Sequence, residues 1–207
     1  MDNKQITKEA HNAIAKRYYE LYKDDTSDLK YFDLFLKDCK PKILDLGCGM
    51  GHYSNYMYAK GFEVTGIDIS SNMIDIAKKN NPNIEFIVSD ICNLSVIEGK
   101  TFDGLVIAYV LQHLSKEEVL DLFSSINSLV SKDTKILMFL REGNNITLEV
   151  EPIDPRFEYV INEYSKEEIT KILINNGWAI SLIETKEYIE DPNSLSPNTM
   201  VVIGKKI

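Results

Sequence analysis

Apolar residues recur at three- and four-residue steps near the start of the chain: Ile6, Ala10, Ala13, Ile14, Tyr18 and Leu21. That is the period of a helix with one buried face. A polar patch from Asp24 to Asp28 breaks the run, and Leu29, Phe32, Leu34, Phe35 and Leu36 resume it. Residues 4 to 38 are therefore predicted to form one or two helices, with Pro41 marking entry to the next element.

Beyond Pro41 short apolar runs alternate with helical patterns. Strands are predicted at Lys42–Leu46, Glu63–Ile67, Ile84–Val88, Phe102–Tyr109, Lys135–Leu140, Trp178–Tyr188 and Thr199–Lys205. Between them lies a helix from Gly51 to Lys60 closed by Gly61, and another from Ser70 to Asn80 with Ser70 or Ser71 at its N-cap. Ser115-Lys116-Glu117-Glu118 and Ser165-Lys166-Glu167-Glu168 each read as a capping box, because serine and the glutamate three residues on can satisfy each other's backbone amides. The first should open a helix running to about Val130, the second one ending at Asn176-Gly177. Strands alternating with helices predict an α/β, doubly wound, Rossmann-like sheet of seven mostly parallel strands. Helices should cover both faces, and the last two strands should close it as an antiparallel hairpin.

No repeat or long linker divides the chain, so one domain over 1–207 is expected. It comprises an N-terminal helical cap (1–40), a central sheet (41–141), an irregular segment (142–164) and a last helix with the hairpin (165–207). The segment 142–164 is too long for an ordinary strand-to-helix loop. Pro152, Asp154 and Pro155 interrupt it, and Phe157, Tyr159 and Tyr164 add aromatics. It is either a lid over a site or a small extra hairpin.

Composition narrows the function classes. The chain has 207 residues, 44% apolar and 27% charged, with net charge -9 and only three arginines among its 23 basic residues. Affinity for a phosphate backbone is largely electrostatic, so this balance speaks against nucleic acid and for a small molecule. No apolar stretch is long enough to cross a bilayer, and the N-terminus lacks the layout of a signal peptide. Three scattered cysteines form no disulfide framework, so a cytoplasmic setting is expected. Oligomeric state is left open.

Candidate chemistry collects where the predicted strands end, the region in which doubly wound sheets bind ligands. The first strand ends at Asp45 and runs into Gly47, Gly49 and Gly51. A dinucleotide fingerprint would need its third glycine at position 52, where His52 stands instead. That departure disfavours an NAD-type oxidoreductase. The second strand ends at Asp68, suited to accept hydrogen bonds from two ribose hydroxyls. The third is followed by Asp90 and Ile91, whose carboxylate and amide could read an adenine edge. The fourth passes Ala108 and leads to Leu111-Gln112-His113-Leu114.

Taken in order, D-x-G-x-G-x-G, then G-x-D-x-S with Met73 in the next helix, then Ser89-Asp90-Ile91, then F-D followed by L-x-H-L, resemble class I S-adenosylmethionine-dependent methyltransferases of the small-molecule type. Tyr164 to Trp178 and the late hairpin are similar as well, so the resemblance spans about residues 10 to 207. It implies S-adenosylmethionine as cofactor, with S-adenosylhomocysteine as product. Gly47, Gly49 and Gly51 would let the methionine end approach the backbone, with Asp45 near its ammonium group. Asp68 would hold the ribose, Ile69 and Met73 would pack the adenine, and Asp90 and Ile91 would read its edge. Ala108 would lie under the sulfonium, and Tyr18 or Tyr19 would close over the cofactor. Methyl transfer from a sulfonium is a direct displacement, and alignment supplies most of the catalysis. Where the acceptor must lose a proton, His113 is the candidate base, because an imidazole ordinarily titrates near pH 6.5. His52, beside the glycine loop, is a weaker candidate, and Arg141 either lies in solvent or binds an acidic acceptor. No metal ligands stand at zinc-like spacing. A non-catalytic cofactor-binding domain and a protein methyltransferase remain alternatives.

Overall fold

The computed structural model describes residues 2–186 and 198–207. Two helices come first, α1 (Asn3–Tyr22) and α2 (Leu29–Leu36). There follow β1 (Lys42–Leu46), α3 (His52–Ala59), β2 (Glu63–Asp68), α4 (Ser71–Asn80), β3 (Glu85–Val88), β4 (Phe102–Ala108), α5 (Lys116–Ile126) and β5 (Val130–Arg141). The small pair β6 (Ile146–Val150) and β7 (Glu158–Asn162), then α6 (Lys166–Asn175), β8 (Trp178–Thr185) and β9 (Thr199–Lys206) complete the order.

The main sheet has seven strands in the order β3-β2-β1-β4-β5-β9-β8. The pairs from β3 to β5 are parallel, and β9 runs antiparallel between β5 and β8. Strand order reverses between β1 and β4, so the crevice at their C-terminal ends is the expected ligand site. The central strands are apolar on both faces because both faces are covered. Along β4, Leu105 and Ile107 pack toward α5 and α6 while Val106 and Ala108 pack toward α2, α3 and α4. Leu137 and Phe139 of β5 share the second layer, and Ile136, Met138 and Leu140 the first.

Both predicted capping boxes form, at Ser115 with Glu118 and at Ser165 with Glu168. Ser70 caps α4 by accepting from the Met73 amide at 3.2 Å. The helix expected to reach Val130 stops at Ile126 instead. Phe102 pairs with Val130 and donates its amide to Leu129, so sheet pairing captures the chain where helical periodicity alone would continue. The sixth strand, read through Tyr188, is described to Thr185, and Tyr188 lies outside the described residues.

Segment 142–164 contains the antiparallel pair β6–β7. Its inner side rests on α1, where Tyr159, Ile161 and Phe157 meet Ala10 and Ile6. Asn3 fastens the contact as a strand would: its side chain accepts from the Val160 amide at 2.7 Å and donates to the Val160 carbonyl at 3.2 Å. Among the described residues no helix is long and apolar enough to cross a membrane.

Candidate functional site

The glycine loop leaves β1 in the left-handed region three times, with φ of 77° at Gly47, 52° at Gly49 and 78° at Gly51. The amides of Gly47 and Cys48 both donate to the Ile67 carbonyl, at 2.8 and 2.9 Å, which ties the loop to the end of β2. The glycines serve different ends. A Cβ on Gly51 would lie 2.8 Å from Phe86 Cζ, so this residue lets α3 sit against the sheet. A Cβ on Gly49 would meet nothing within 4 Å. Gly49 is therefore the glycine that opens on the crevice.

Three aspartates line the same edge. Asp45 is 1% exposed and accepts from the Ser54 hydroxyl at 2.6 Å. Burial pushes its carboxyl up to about 7, against the opposing pull of that hydrogen bond. Asp68 accepts from the Gly49 amide through Oδ2 and from the Ser70 amide through Oδ1, both at 2.8 Å. Burial raises its carboxyl above the ordinary range, with the amides opposing. Asp90 accepts from the Cys92 amide at 2.9 Å and pairs with Lys4 Nζ at 2.8 Å. Lys4 reaches Glu118 at 2.6 Å as well. A cavity of about 350 Å³ lies here, with Ile69, Val88 and Asp90 on the sheet side and Lys4, Gln5 and Lys8 of α1 opposite.

Other predicted residues settle differently. Ala108 ends β4 beside the crevice, 9% exposed, and Ile91 is buried in the core. Met73 is buried and packs with Ile14 and Ala15 of α1 and with Met50. Tyr18 is half-buried against Tyr22, with ring centroids 4.6 Å apart, while Tyr19 sits beside Lys23. His52 bonds the Asp25 carbonyl at 2.6 Å and ties α3 to the α1–α2 turn. Arg141 does not lie free in solvent: Glu149 at 2.8 Å and Glu163 at 3.8 Å hold it.

His113 lies in a short 3-10 turn after β4, edge-on to His11 and Tyr159 with centroids 5.5 and 5.2 Å away. Its Nδ1 is buried without a partner. Burial, with His11 nearby, pushes its pKa down to about 3. The ring is thus neutral at pH 7 and a weak base. Among the described residues no group of three or more His, Cys, Asp or Glu could hold a metal ion.

The family described as a methyltransferase domain matches residues 43–133, from β1 past α5. An uncharacterized methyltransferase of Alkaliphilus oremlandii is 29% identical over 157 residues, covering 70% of this chain and 71% of that one. Both matches are to methyltransferases, and the family match spans the sheet from β1 into β5. The matches support an enzyme of the methyl-transferring class. The demethylmenaquinone methyltransferase of Thermotoga maritima is 35% identical over 85 residues, which are 40% of this chain and only 37% of that enzyme. In fold, the magnesium protoporphyrin IX methyltransferase of Synechocystis PCC 6803, solved with bound SAM, superposes at TM-score 0.76. It is 18% identical, over 100% of this chain and 98% of its own.

Sequence patterning missed a second polar centre in this methyltransferase. Asp28, 2% exposed, accepts from the hydroxyls of Tyr53 at 2.7 Å and Tyr109 at 2.8 Å, and from Lys186 at 2.7 Å. Tyr109 follows Ala108 directly, at φ 60°, and stacks on Phe139 with centroids 5.5 Å apart. A left-handed conformation costs a non-glycine residue about 1–2 kcal/mol. Position at a strand end was a usable signal for Tyr109. Asp28 had none, because it sits in a polar patch that reads as a turn.

Proposed function

We propose that this methyltransferase moves a methyl group onto a small-molecule acceptor by direct in-line displacement. The observation that carries the reading is the bond from the Gly49 amide to the Asp68 carboxylate, with Ile69, the next residue, lining a cavity of about 350 Å³ under the first turns of α1. When bound, the cofactor supplies a methyl group already activated on sulfonium. The residues present fit that group. Gly49 presents bare backbone to its methionine end, and Asp45 is a buried carboxyl that an ammonium could ionise. Asp68 offers its remaining lone pairs to the ribose hydroxyls, Ile69 packs the base, and Asp90 and the Ile91 amide read its edge. Ala108 leaves room at the end of β4. Tyr18 on α1 and the β6–β7 arm wall the acceptor side, which suits a small acceptor better than a protein chain.

Alignment of acceptor and methyl can lower such a barrier by up to about 7–11 kcal/mol. His113, neutral at pH 7, orients the acceptor rather than removing its proton. The test is transfer from S-adenosylmethionine carrying a deuterated methyl, with a metabolite fraction and a protein fraction of a cell extract offered separately. Label in the metabolite fraction supports the reading. Label in protein only, or in neither with cofactor bound, contradicts it.

A further inference from the structure

The residue after β4 breaks the alternation of its strand. Leu105 and Ile107 face one core layer, and Val106 and Ala108 the other. Successive side chains in a strand point to opposite faces, so residue 109 should rejoin Leu105 and Ile107. Tyr109 packs instead with the layer of Val106 and Ala108, and Val110 goes to the opposite one. Its φ of 60° makes that turn. A glycine would adopt this angle freely, whereas for a bulky residue it is an outlier. Such strain persists only where the surroundings over-determine it, and it gathers at functional sites.

The surroundings of Tyr109 are specific. Its amide donates to the Phe139 carbonyl at 2.7 Å, and its ring stacks on Phe139. Its hydroxyl donates to Asp28 Oδ2 at 2.8 Å, and Thr199 of β9 meets the same hydroxyl. Asp28 stands at the N-cap of α2, yet its side chain caps no helix amide. Its Oδ2 also accepts from the Tyr53 hydroxyl at 2.7 Å, and its Oδ1 from Lys186 at 2.7 Å. Burial, with Asp28 alongside, raises both phenols well above their ordinary range, so both remain donors. The turn then closes on the glycine loop. Leu46, the last residue of β1, pairs with Ile107. A Cβ on Gly47 would lie 2.8 Å from Val110 Cβ, so Val110 presses directly on the first glycine.

We propose that Tyr109 is a positioning residue for methyl transfer: held left-handed by Asp28, it fixes the backbone at the end of β4 beside the reacting methyl. The inference rests on the methyltransferase reading above, in which Ala108 borders the sulfonium. Tyr109 acts through the peptide units on either side of it, not through contact with the reacting atoms. The displacement runs along one line from sulfur through carbon to the acceptor, and a misplacement of about 1 Å can cost about 100-fold in rate.

The experiment titrates the full chain with S-adenosylhomocysteine and with S-adenosylmethionine carrying an isotopically labelled methyl, whose bound resonance is read by carbon NMR. Wild type, Tyr109→Phe and Tyr53→Phe are compared. Both substitutions remove a bond to the same Asp28 oxygen and keep the ring, but only Tyr109 lies on the backbone leaving β4. Tyr109→Gly, unstrained at this φ without a tether, replaces Tyr109→Phe should the latter fold poorly. Expected in Tyr109→Phe are a displaced methyl resonance, a several-fold change in affinity for S-adenosylmethionine relative to S-adenosylhomocysteine, unchanged affinity for the latter, and a loss on the order of 100-fold in methyl transfer to the metabolite fraction. Tyr53→Phe should match wild type in all four. A Tyr109 that is only structural would lower the melting temperature and leave resonance, affinity ratio and rate in place, and that result overturns the proposal. So does an equal effect in Tyr53→Phe, or a parallel loss of both ligands. Failure of the wild type to bind either adenosyl compound, or to label the metabolite fraction, overturns the functional reading beneath it instead.

Discussion

The Gly49 amide donates to Asp68 Oδ2 at 2.8 Å, so the loop after β1 and the end of β2 are one unit. Two motifs separated by 19 positions in the chain meet through a single hydrogen bond. The bond fixes the carboxylate on the side of the loop where the backbone is bare.

The loop glycines should separate stability from binding. Gly49→Ala meets no neighbour and carries only the left-handed penalty, about 1–2 kcal/mol. Gly51→Ala adds a clash with Phe86, for a total of about 2–5 kcal/mol. Urea unfolding should rank them in that order. Titration with S-adenosylhomocysteine should rank them the other way, since a methyl on Gly49 stands where the cofactor approaches.

Asp45 should make stability depend on pH. Its carboxyl is raised from 3.8 to about 7, so the folded state holds the proton more tightly than the unfolded chain. The contribution is fully present below the unfolded value and is lost as pH rises through about 7, to a total on the order of 4 kcal/mol. Asp45→Asn should therefore be more stable than wild type at pH 8 and lose that advantage at pH 4. Both comparisons are made by thermal unfolding without ligand. If the cofactor's ammonium ionises Asp45, binding near pH 7 releases a proton, which calorimetry in buffers of different ionisation enthalpy detects.

Asp28 anchors two tyrosines and Lys186 in a dry setting. Asp28→Asn leaves the lysine without its charge partner, and breaking such a buried pair costs about 3–5 kcal/mol. Tyr53→Phe removes one hydrogen bond and should cost about 1 kcal/mol. Chemical denaturation of the two variants checks the difference.

Lys4 occupies the carboxylate assigned to the adenine edge. Lys4→Gln frees Asp90 and loosens the first turn of α1. Stopped-flow binding of S-adenosylhomocysteine should show faster association and faster dissociation, with little change in melting temperature, since partly exposed ion pairs contribute only about 0–1 kcal/mol.

The sheet was legible because its signals are local. Apolar runs on both faces of β4 and β5, serine–glutamate boxes at Ser115 and Ser165, and the glycines after β1 each leave a mark within a few residues. The three aspartates of the proposed site stood out for the same reason, since Asp45 and Asp68 lie at the ends of β1 and β2 and Asp90 two residues past β3. Long-range pairing was not. Val130 joins a strand because Phe102 waits across the sheet. Arg141 is held by Glu149 and Glu163, which only the fold of the arm brings near. Asp28 owes its character to burial, and polar residues in loop-like segments give no sign of it.

The most direct measurement is thermal unfolding of wild type and Asp68→Ala with S-adenosylmethionine, S-adenosylhomocysteine and NAD. A ligand at a hundred times its dissociation constant adds about 2.7 kcal/mol, a shift of roughly 5–10 °C for a chain of this size. The predicted result is a shift with both adenosyl compounds, none with NAD, and none in Asp68→Ala. No shift with saturating adenosyl compounds, or an equal shift with NAD, would contradict the account.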